Sequence, residues 1–293
     1  SKICPICDSH DTKKFLNKNI NLQKTNKFSF SSRKIPEFMN YELLRCNSCT
    51  LIYALDIPEQ NQVKDNYRNS VFVSSVDAED ASNTYFQTIK SKIKFKNYDH
   101  AIEIGAGSGS FIDKLKILGF KNIIGIEPSI SSINNAKDEI KENLINDIFE
   151  TANIDNNFSD LVCCFMTMEH VHDPILTIKK SYDVLRNEGK IVLVTHDCDH
   201  ILHKILGKKS PIIDIEHLQL FSSMSIKKIL EKNNFKNIKI FNFKNSYNLS
   251  YWISLLPLPK FIKKIIQKFF KFFKLSNLKF SLNVGNIMIS AEK

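Results

Sequence analysis

The sequence predicts an α/β protein whose main part is a doubly wound, mainly parallel sheet of seven strands, with a small segment in front of it. Two observations predict the sheet: apolar strand-like runs alternate with helical patterns five times along the chain, and the first run enters a glycine-rich turn. A third observation, two CxxC pairs near the N-terminus, separates the small segment. Right-handed crossovers are expected between the parallel strands.

The composition sets limits on the kind of protein this is. At 293 residues the chain has room for one large domain, or for a catalytic domain with a small addition. No run approaches the ~20 apolar residues of a membrane span, and the N-terminus lacks the apolar core of a signal peptide, so we expect a cytoplasmic protein. The net charge of +10 suits a phosphorylated or nucleotide-bearing substrate as well as RNA. The absence of a basic tract with interleaved aromatic residues makes a nucleic acid the less favoured partner.

The N-terminal segment, residues 1–55, carries a predicted metal site. Its ligands would be the four thiolates of Cys4, Cys7, Cys46 and Cys49. Two CxxC knuckles complete a tetrahedron around Zn²⁺, and a metal would supply the stability that so small a core lacks. A redox CxxC is the alternative, but it normally opens a helix in a thioredoxin-like unit, which this segment lacks. Asp8 and Thr50 stand where such knuckles usually carry glycine.

Residues 56–98 are expected to link this segment to the main domain. Helical spacing from Ala81 to Phe95 predicts a helix that packs on the domain and leads into its first strand. Tyr67, Tyr85 and Phe86 are candidates for lid aromatics over a ligand, with simple packing as the alternative. Residues 99–293 form the predicted main domain.

The glycine turn predicts a nucleotide-like ligand site. A run from Ala101 to Ile104 enters Gly105, Gly107 and Gly109, and helical spacing begins at Phe111. Glycine permits conformations that a side chain would forbid and lets a ligand lie against the backbone. The spacing is tighter than the dinucleotide fingerprint, and no Lys-Ser/Thr follows as in a P-loop. Glu103 would repel a pyrophosphate but attract a cation, so a ligand with a positively charged amino-acid end is favoured.

Acidic residues follow the second and third predicted strands. Ligands of α/β sheets lie beyond the carboxyl ends of the strands. Glu127 ends the second strand, where a carboxylate can accept hydrogen bonds from both hydroxyls of a ribose. Asp147 ends the third strand, Leu144–Ile148, and could accept from an adenine amino group; a loop acid without a ligand is the alternative. Met166, at the end of the fourth strand, completes the predicted cofactor-binding set.

Several stretches together resemble one enzyme family. The pattern E-x-G-x-G-x-G at Glu103–Gly109 resembles motif I of class I S-adenosylmethionine (SAM) methyltransferases. The runs MEHVHDP, DVLRNEGKIVLVTH and IEHLQLFS resemble later segments of members found in bacterial surface-polysaccharide and secondary-metabolite gene sets. CPIC followed by YELLRCNSCTLIY resembles the zinc ribbon that many members carry. The resemblance implies a Rossmann-like methyltransferase fold in which Gly105, Gly107, Gly109, Glu127 and Asp147 hold SAM.

The substrate side is expected in the long loop 196–222, which concentrates four histidines. A hydroxyl acceptor must lose its proton, and histidine is the usual base near neutral pH. Glu216 and His217 resemble the Glu-His pair of zinc-ribbon sugar C-methyltransferases, in which the histidine is the base. His196, at the end of the fifth strand, is the second candidate. Nothing in the spacing of the histidines fixes a metal site.

The residue pattern of 257–275 predicts an amphipathic, basic helix that is inserted between the last two strands. Its apolar residues lie opposite its lysines at helical spacing. The pattern favours a helix that covers the domain, with lysines snorkelling to water. The alternative is an interfacial helix that brings residues 260–274 into contact with an anionic membrane.

The sequence therefore predicts a SAM-dependent methyltransferase with structural zinc. Its acceptor is expected to be a hydroxyl, or a carbon next to a keto group, of a sugar, nucleotide-sugar or surface-glycan precursor. O-methylation is favoured because carbon methylation needs a 4-keto sugar. The zinc ribbon would serve substrate binding or dimerisation, so a homodimer is among the expected assemblies. An RNA or ribosome methyltransferase, and a SAM-binding zinc-ribbon scaffold without chemistry, are the alternatives.

Overall fold

The computed structural model describes residues 3–21, 23, 25–31, 36–72, 75–256, 258–273, 275 and 278–293. These residues form a four-stranded, a seven-stranded and a two-stranded sheet. The strands are β1 (Thr12–Leu16), β2 (Leu43–Cys46), β3 (Ile52–Ala54), β4 (His100–Ile104), β5 (Asn122–Ile126), β6 (Leu144–Ile145), β7 (Ser159–Phe165), β8 (Leu185–His196), β9 (Gln219–Leu220), β10 (Lys236–Asn242), β11 (Asn245–Asn248), β12 (Lys279–Leu282) and β13 (Asn286–Glu292).

Most of the α-helices alternate with these strands along the chain. They are α1 (Gln60–Arg68), α2 (Ser75–Lys92), α3 (Ile112–Leu118), α4 (Ile130–Asn134), α5 (Asp138–Lys141), α6 (Pro174–Val184), α7 (Ile201–Leu206), α8 (Ser223–Lys232), α9 (Leu249–Leu255) and α10 (Lys260–Phe272). The sequence pattern did not predict α1, α7 or α9. None of the described helices is long and apolar enough to cross a bilayer.

The large sheet has the predicted seven strands, in the order β10-β13-β8-β7-β4-β5-β6. The pairs from β8 to β6 are parallel, whereas β13 runs antiparallel to both β8 and β10. β7 is buried along its whole length, and its successive residues alternate between two apolar clusters: Val162 and Cys164 in one, Leu161 and Cys163 in the other. This double burial explains why the strand is apolar without alternation.

Two local predictions were wrong because a cap or a break overrode the periodicity. The residues Lys27–Ser31 have a sequence pattern that favours a strand, but Lys27–Phe30 form a 3₁₀ turn, which the side chain of Asn26 caps by accepting from the Phe28 amide. The residue pattern of Ser131–Lys141 favours one helix, but the segment is divided into α4 and α5, with Ala136 buried between them.

The run Asn187–Gly189 has the pattern of a glycine stop that would end a helix beginning at Ile175, but it is a bulge in β8. The preceding helix ends at Val184, and Leu185 already pairs with Ser159 of β7. The next pair joins Leu161 to Lys190, so the intervening residues of β8 bulge out of the ladder. Glu188 has a φ of +66°, as bulged residues often do. Non-local strand pairing, which short-range patterns do not encode, decides this boundary.

The N-terminal segment shares its sheet with the substrate loop. The order is β1-β2-β3-β9, all antiparallel, and β9 belongs to the predicted loop 196–222. Ile52 pairs with Leu220, and the Ala54 amide donates to the Leu218 carbonyl at 2.8 Å. The cysteine-bearing segment therefore fixes the backbone just after His217.

The C-terminal insert contains more structure than was predicted. β11 and β12 pair antiparallel, with α9 and α10 between them in the chain. The predicted amphipathic helix is confirmed as α10 from Lys260 to Phe272, while Pro257 and Lys274 lie outside the described residues. The cover-helix prediction holds for only part of its apolar face, because Phe261, Ile265, Phe269 and Phe272 are exposed.

Candidate functional site

A cavity of about 610 Å³ opens where β4, β5, β7 and β8 reach their carboxyl ends. This is the edge of a parallel sheet at which ligands bind. Its wall includes the glycine turn, the acids after the strands, a histidine cluster, side chains of the C-terminal insert, and residues of α1 and α2, among them the predicted lid aromatics Tyr67 and Tyr85. All predicted catalytic residues line it, as do all predicted cofactor residues except Gly109.

The glycine turn is held in a conformation that side chains resist. Gly105 has a φ of +71°, and a Cβ there would lie 2.3 Å from Oγ1 of Thr167. Gly109 has a φ of +75° and meets the side chain of Ile140 rather than the cavity. Gly105 is therefore required where the backbone borders the cavity, and Gly109 is required for packing.

Glu127 joins the end of β5 to the glycine turn. Its carboxylate accepts from the Gly107 amide at 2.8 Å and from the Ser129 amide at 2.7 Å. Burial raises the pKa of Glu127 to about 6, although these two hydrogen bonds act in the opposite direction. A charged, hydrogen-bond-accepting group thus lies at the cavity wall at neutral pH.

Glu103 is buried at the end of β4 and also lines the cavity. Among the described residues, its Oε2 atom has no hydrogen-bond partner. Burial, together with the nearby charge of Glu127, raises the pKa of Glu103 well above its ordinary value. A buried carboxyl group without a partner fits a ligand that brings a cation or a hydrogen-bond donor.

Asp147 and Met166 border the same cavity from β6 and β7. Lys64 of α1 donates to Asp147 at 2.6 Å, and the Thr151 hydroxyl donates to the same oxygen at 2.8 Å. Burial opposes ionisation of Asp147, but these hydrogen bonds lower its pKa. Met166 adopts a φ of +51° as the chain leaves β7.

A buried carboxylate, Glu169, orients His196. Its Oε1 atom lies 3.1 Å from Nδ1 of His196 and accepts from the His196 amide at 2.9 Å. Although burial opposes ionisation, the hydrogen bond from His196 and the nearby rings of His217 and His170 lower the pKa of Glu169 to about 2. The carboxylate is therefore charged, so Nδ1 of His196 donates to it and Nε2 is left to take a proton.

His217 lies in the same cluster but is held differently. Its Nδ1 donates to the Ile212 carbonyl at 2.7 Å, and its ring centroid lies 4.8 Å from that of His170 and 5.7 Å from that of His196. Burial and these neighbouring histidines lower its pKa to about 3. The predicted partner Glu216 is only at the limit of contact, 4.0 Å from Nε2.

Sequence reasoning missed three residues of the site: Glu169, which is buried behind His196, and two asparagines that line the cavity. Glu169 lies in the quoted run MEHVHDP, directly after β7, and only its pairing with His196 reveals its place. Asn245 and Asn286 line the cavity at 1% and 6% exposure. Both amide atoms of Asn245 and the Oδ1 atom of Asn286 have no partner in the described part of the chain. No motif marks these asparagines, although Asn286 pairs directly with His196 across β13 and β8.

The four predicted metal cysteines meet on one side of the four-stranded sheet. Their Sγ atoms all lie within 4.8 Å of one another, and the Cys4–Cys49 and Cys7–Cys46 sulfur pairs are 3.5 Å apart. A tetrahedron with Zn–S bonds of about 2.3 Å has its sulfurs about 3.8 Å apart, so the cluster fits Zn²⁺.

Both knuckles turn as a metal knuckle requires, without glycine. Asp8 and Thr50 have φ values of +57° and +63°, and their amides donate to the carbonyls of Cys4 and Cys46. The Thr50 hydroxyl hydrogen-bonds to that of Ser222 at the start of α8. This tertiary contact helps to hold a conformation that threonine alone disfavours.

Comparisons with known proteins identify the domain. The profile of the Methyltransferase domain family matches residues 55–240. The chain is 26% identical over 179 residues to a tRNA U34 carboxymethyltransferase of Campylobacter fetus, a match that covers 58% of this chain. It spans 62% of that relative's length.

Solved structures share the fold. The YcgJ protein of Bacillus subtilis has a TM-score of 0.53 at 17% identity, over 72% of this chain and 98% of its own. A putative methyltransferase of Bacillus halodurans has a TM-score of 0.52 at 14% identity, over 71% and 98%. With the sheet, the cavity at its carboxyl edge and the family match in place, the chain belongs to the Methyltransferase domain family.

Proposed function

We propose that this methyltransferase modifies a hydroxyl, or a carbon next to a keto group, of a sugar, nucleotide sugar or related surface-glycan precursor. The observation that carries the proposal is a pair of buried asparagines: among the described residues, both amide atoms of Asn245 and the Oδ1 atom of Asn286 lack hydrogen-bond partners. Leaving such groups unpaired costs about 1–3 kcal/mol each. An acceptor rich in hydroxyl groups would satisfy them, because each hydroxyl both donates and accepts.

Three aromatic side chains support a carbohydrate in particular. Tyr247, Tyr251 and Trp252 line the cavity next to Asn245, with the ring of Tyr247 4.4 Å from that of Tyr251 and 5.3 Å from that of Trp252. A sugar has an apolar C–H face and a rim of hydroxyls. Aromatic surface beside a few convergent polar groups suits such a ligand.

Other groups that line the same cavity are suited to SAM, which we propose as the methyl donor. Glu127 would accept from the ribose hydroxyls, Glu103 would face the positively charged amino group, and Asp147 would accept from the adenine amino group. Gly105 and Gly107 would let the methionine end lie against the backbone, beside Met166. When bound, SAM supplies an electrophilic methyl group on its sulfonium.

The proton of a hydroxyl acceptor would go to Nε2 of His196. Glu169 holds the opposite nitrogen as a donor and stabilises the imidazolium that forms. A low proton affinity, reflected in a pKa of about 3, makes His217 the weaker base. His217 and Glu216 would instead border the acceptor.

We also infer that Cys4, Cys7, Cys46 and Cys49 bind one structural Zn²⁺. Four thiolates complete the coordination shell, so such a site stabilises the fold and leaves no position for chemistry. A structural role for this Zn²⁺ is supported by the four-stranded sheet that the N-terminal segment shares with the substrate loop. In this sheet β3 pairs with β9 next to the histidine cluster.

The affinity for SAM is expected to depend on pH through Glu127. The carboxylate accepts from ribose when ionised, and its pKa of about 6 means that it becomes protonated as the pH falls. Between pH of about 7 and about 5 the ionised fraction, and with it the affinity, should fall about tenfold. Calorimetric titration with SAM at several pH values, on wild type and on Glu127→Gln, measures this effect. Glu103 and SAM itself titrate in both proteins, so the difference between the two pH dependences reports on Glu127. Equal pH dependence in the two would contradict the assignment.

The acceptor class is tested with methyl-labelled SAM and a panel of nucleotide sugars, lipid-linked glycans and transfer RNA. We expect the label in the carbohydrate fraction. Asn286→Ala should raise KM for that acceptor about tenfold, the cost of one buried hydrogen bond, with unchanged SAM affinity. Asn283→Ala, a substitution outside the cavity lining, is the matched control. Label that appears only in RNA would overturn the carbohydrate proposal.

A nucleic-acid acceptor is the second candidate. The similarity to a tRNA U34 carboxymethyltransferase and the net charge of +10 favour it. It requires RNA binding that weakens steeply with salt, since each neutralised phosphate releases counterions. Salt-insensitive or absent RNA binding would exclude it.

A further inference from the structure

The C-terminal insert exposes an unusually large apolar surface. On α10 and just after it, Phe261, Ile265, Phe269, Phe272 and Phe273 are exposed, Phe272 to 82%. Further exposed apolar side chains come from the surrounding insert: Leu256, Leu258, Leu275, Leu278, Phe280 and Leu282. Soluble proteins rarely leave so much contiguous apolar surface open, and such surfaces mark contacts with proteins or membranes.

The orientation of α10 is fixed by its opposite face. Lys263 is buried and donates to the Ser254 carbonyl at 2.7 Å, which ties α10 to α9. Ile262 and Ile266 are partly buried on this side. At 3.6 residues per turn, Phe261, Ile265, Phe269 and Phe272 then form one stripe that points away from the protein. The exposed aromatic stripe is thus a consequence of how the helix packs.

The positive charge of the C-terminal insert indicates which kind of partner this surface fits. Between Glu231 and Glu292 the sequence has eleven lysines and no acidic residue. Lys264, Lys268 and Lys271 of α10 are exposed beside the apolar stripe. A second copy of the chain would bring lysines against lysines, and RNA would leave the phenylalanine stripe in water. An anionic lipid surface offers negative head groups and an apolar layer at the same place.

The surface continues to the mouth of the cavity. Leu256 and Leu282 belong to it and also line the cavity, and Trp252 and Leu255 of α9 line the cavity beside them. α10 has 13 residues, too few to span a bilayer. It has the pattern of a helix that lies in the plane of the head groups with its apolar side inserted.

We propose that the surface formed by α10 and the adjoining exposed leucines and phenylalanines docks on an anionic lipid bilayer, with the mouth of the cavity at the membrane. Docking in this orientation would give the cavity direct access to an acceptor carried on a lipid. The identification of that acceptor as a lipid-linked glycan rests on the proposed function, whereas the docking does not.

Flotation of the zinc-loaded full chain with vesicles tests the docking. The vesicles contain phosphatidylcholine alone, or phosphatidylcholine mixed with phosphatidylglycerol. We expect binding to the mixed vesicles at low salt, weaker by about a hundredfold on neutral vesicles, since each of the three exposed lysines of α10 contributes about fivefold. High salt should reduce binding to the mixed vesicles.

Two variants separate the apolar and charged contributions. Phe269→Glu with Phe272→Glu should abolish vesicle binding, and Lys264→Glu with Lys268→Glu should remove the preference for anionic lipid. Ile117→Glu, at an equally exposed apolar position on α3, is the matched control and should bind like wild type. SAM affinity of every variant, measured by calorimetry, shows that the cavity is intact.

Four other outcomes would overturn the proposal or one part of it, and each indicates a different alternative. Absence of vesicle binding by a protein that binds SAM overturns the docking and leaves the methyltransferase function untouched. Equal binding to neutral and anionic vesicles overturns the role of the lysines. Self-association that the phenylalanine variant abolishes, without vesicle binding, shows that the surface meets a second copy. RNA binding that displaces the protein from vesicles and survives the phenylalanine changes assigns the basic surface to RNA.

Discussion

Replacement of His196 by asparagine is expected to lower kcat by about 10²- to 10⁴-fold, with unchanged SAM affinity. Asparagine keeps a polar group of similar reach but cannot take a proton at neutral pH. The carboxylate of Glu169, 3.1 Å from Nδ1 of His196, no longer has an imidazolium to stabilise in this variant. Single-turnover transfer from labelled SAM to the identified acceptor measures the effect separately from product release.

Replacement of Glu169 by glutamine tests whether Glu169 positions His196. Glu169→Gln keeps the side-chain shape but offers an amide in place of a charge, so His196 loses its fixed orientation and the stabilisation of its protonated form. We expect kcat to fall and the acidic limb of its pH profile to move to lower pH, because a general base acts only in its deprotonated form, while KM for SAM stays constant. His217→Asn is the matched comparison and should cost less. If His217→Asn lowers kcat more than His196→Asn does, the base is His217.

Removal of the metal is expected to unfold the N-terminal segment and to abolish methyl transfer. Structural zinc contributes about 10–16 kcal/mol of apparent binding free energy in zinc-finger peptides, more than a segment of this size gains by burial. In this chain the loss reaches the cavity, because β3 pairs with β9 and the Ala54 amide bonds to Leu218, the residue after His217.

Cys46→Ser tests this without a chelator. We expect loss of bound zinc, rapid proteolysis between β1 and β3, and a fall in kcat that exceeds the change in SAM affinity. Ser48→Ala, in the same knuckle but at an exposed non-ligand position, should keep full zinc content and activity. A Cys46→Ser protein that is metal-free yet resists proteolysis and remains active would show that the segment folds without zinc.

Local patterns were sufficient for the frame of the molecule. Strand and helix periodicities, together with the glycines after β4, predicted the seven-stranded, mainly parallel sheet. They also predicted that Glu103, Glu127 and Asp147 border one cavity, because carboxyl ends of neighbouring parallel strands meet at the same edge. The cysteine spacing likewise predicted the cluster of four sulfurs.

Boundaries that depend on partners distant in the chain could not be predicted. The bulge in β8 exists because Leu185 pairs with Ser159, and the short β9 exists because β3 lies beside it. The insert between β10 and β13 carries only an amphipathic pattern, which favoured a covering helix and did not reveal that much of the apolar face is exposed. Packing of Lys263 against α9 decided which face points outward.

The sequence by itself determined the fold, the edge of the sheet at which the cavity lies and the cluster of four cysteines, because each depends on residues close together in the chain or on strand ends that must coincide. Only the tertiary structure paired Glu169 with His196, 27 positions away, and brought Asn245 and Asn286 to the same cavity. These contacts depend on the register between strands and on the course of long connections. Neither the register nor the course of the connections leaves a local sequence pattern, since the register depends on the burial of whole strands.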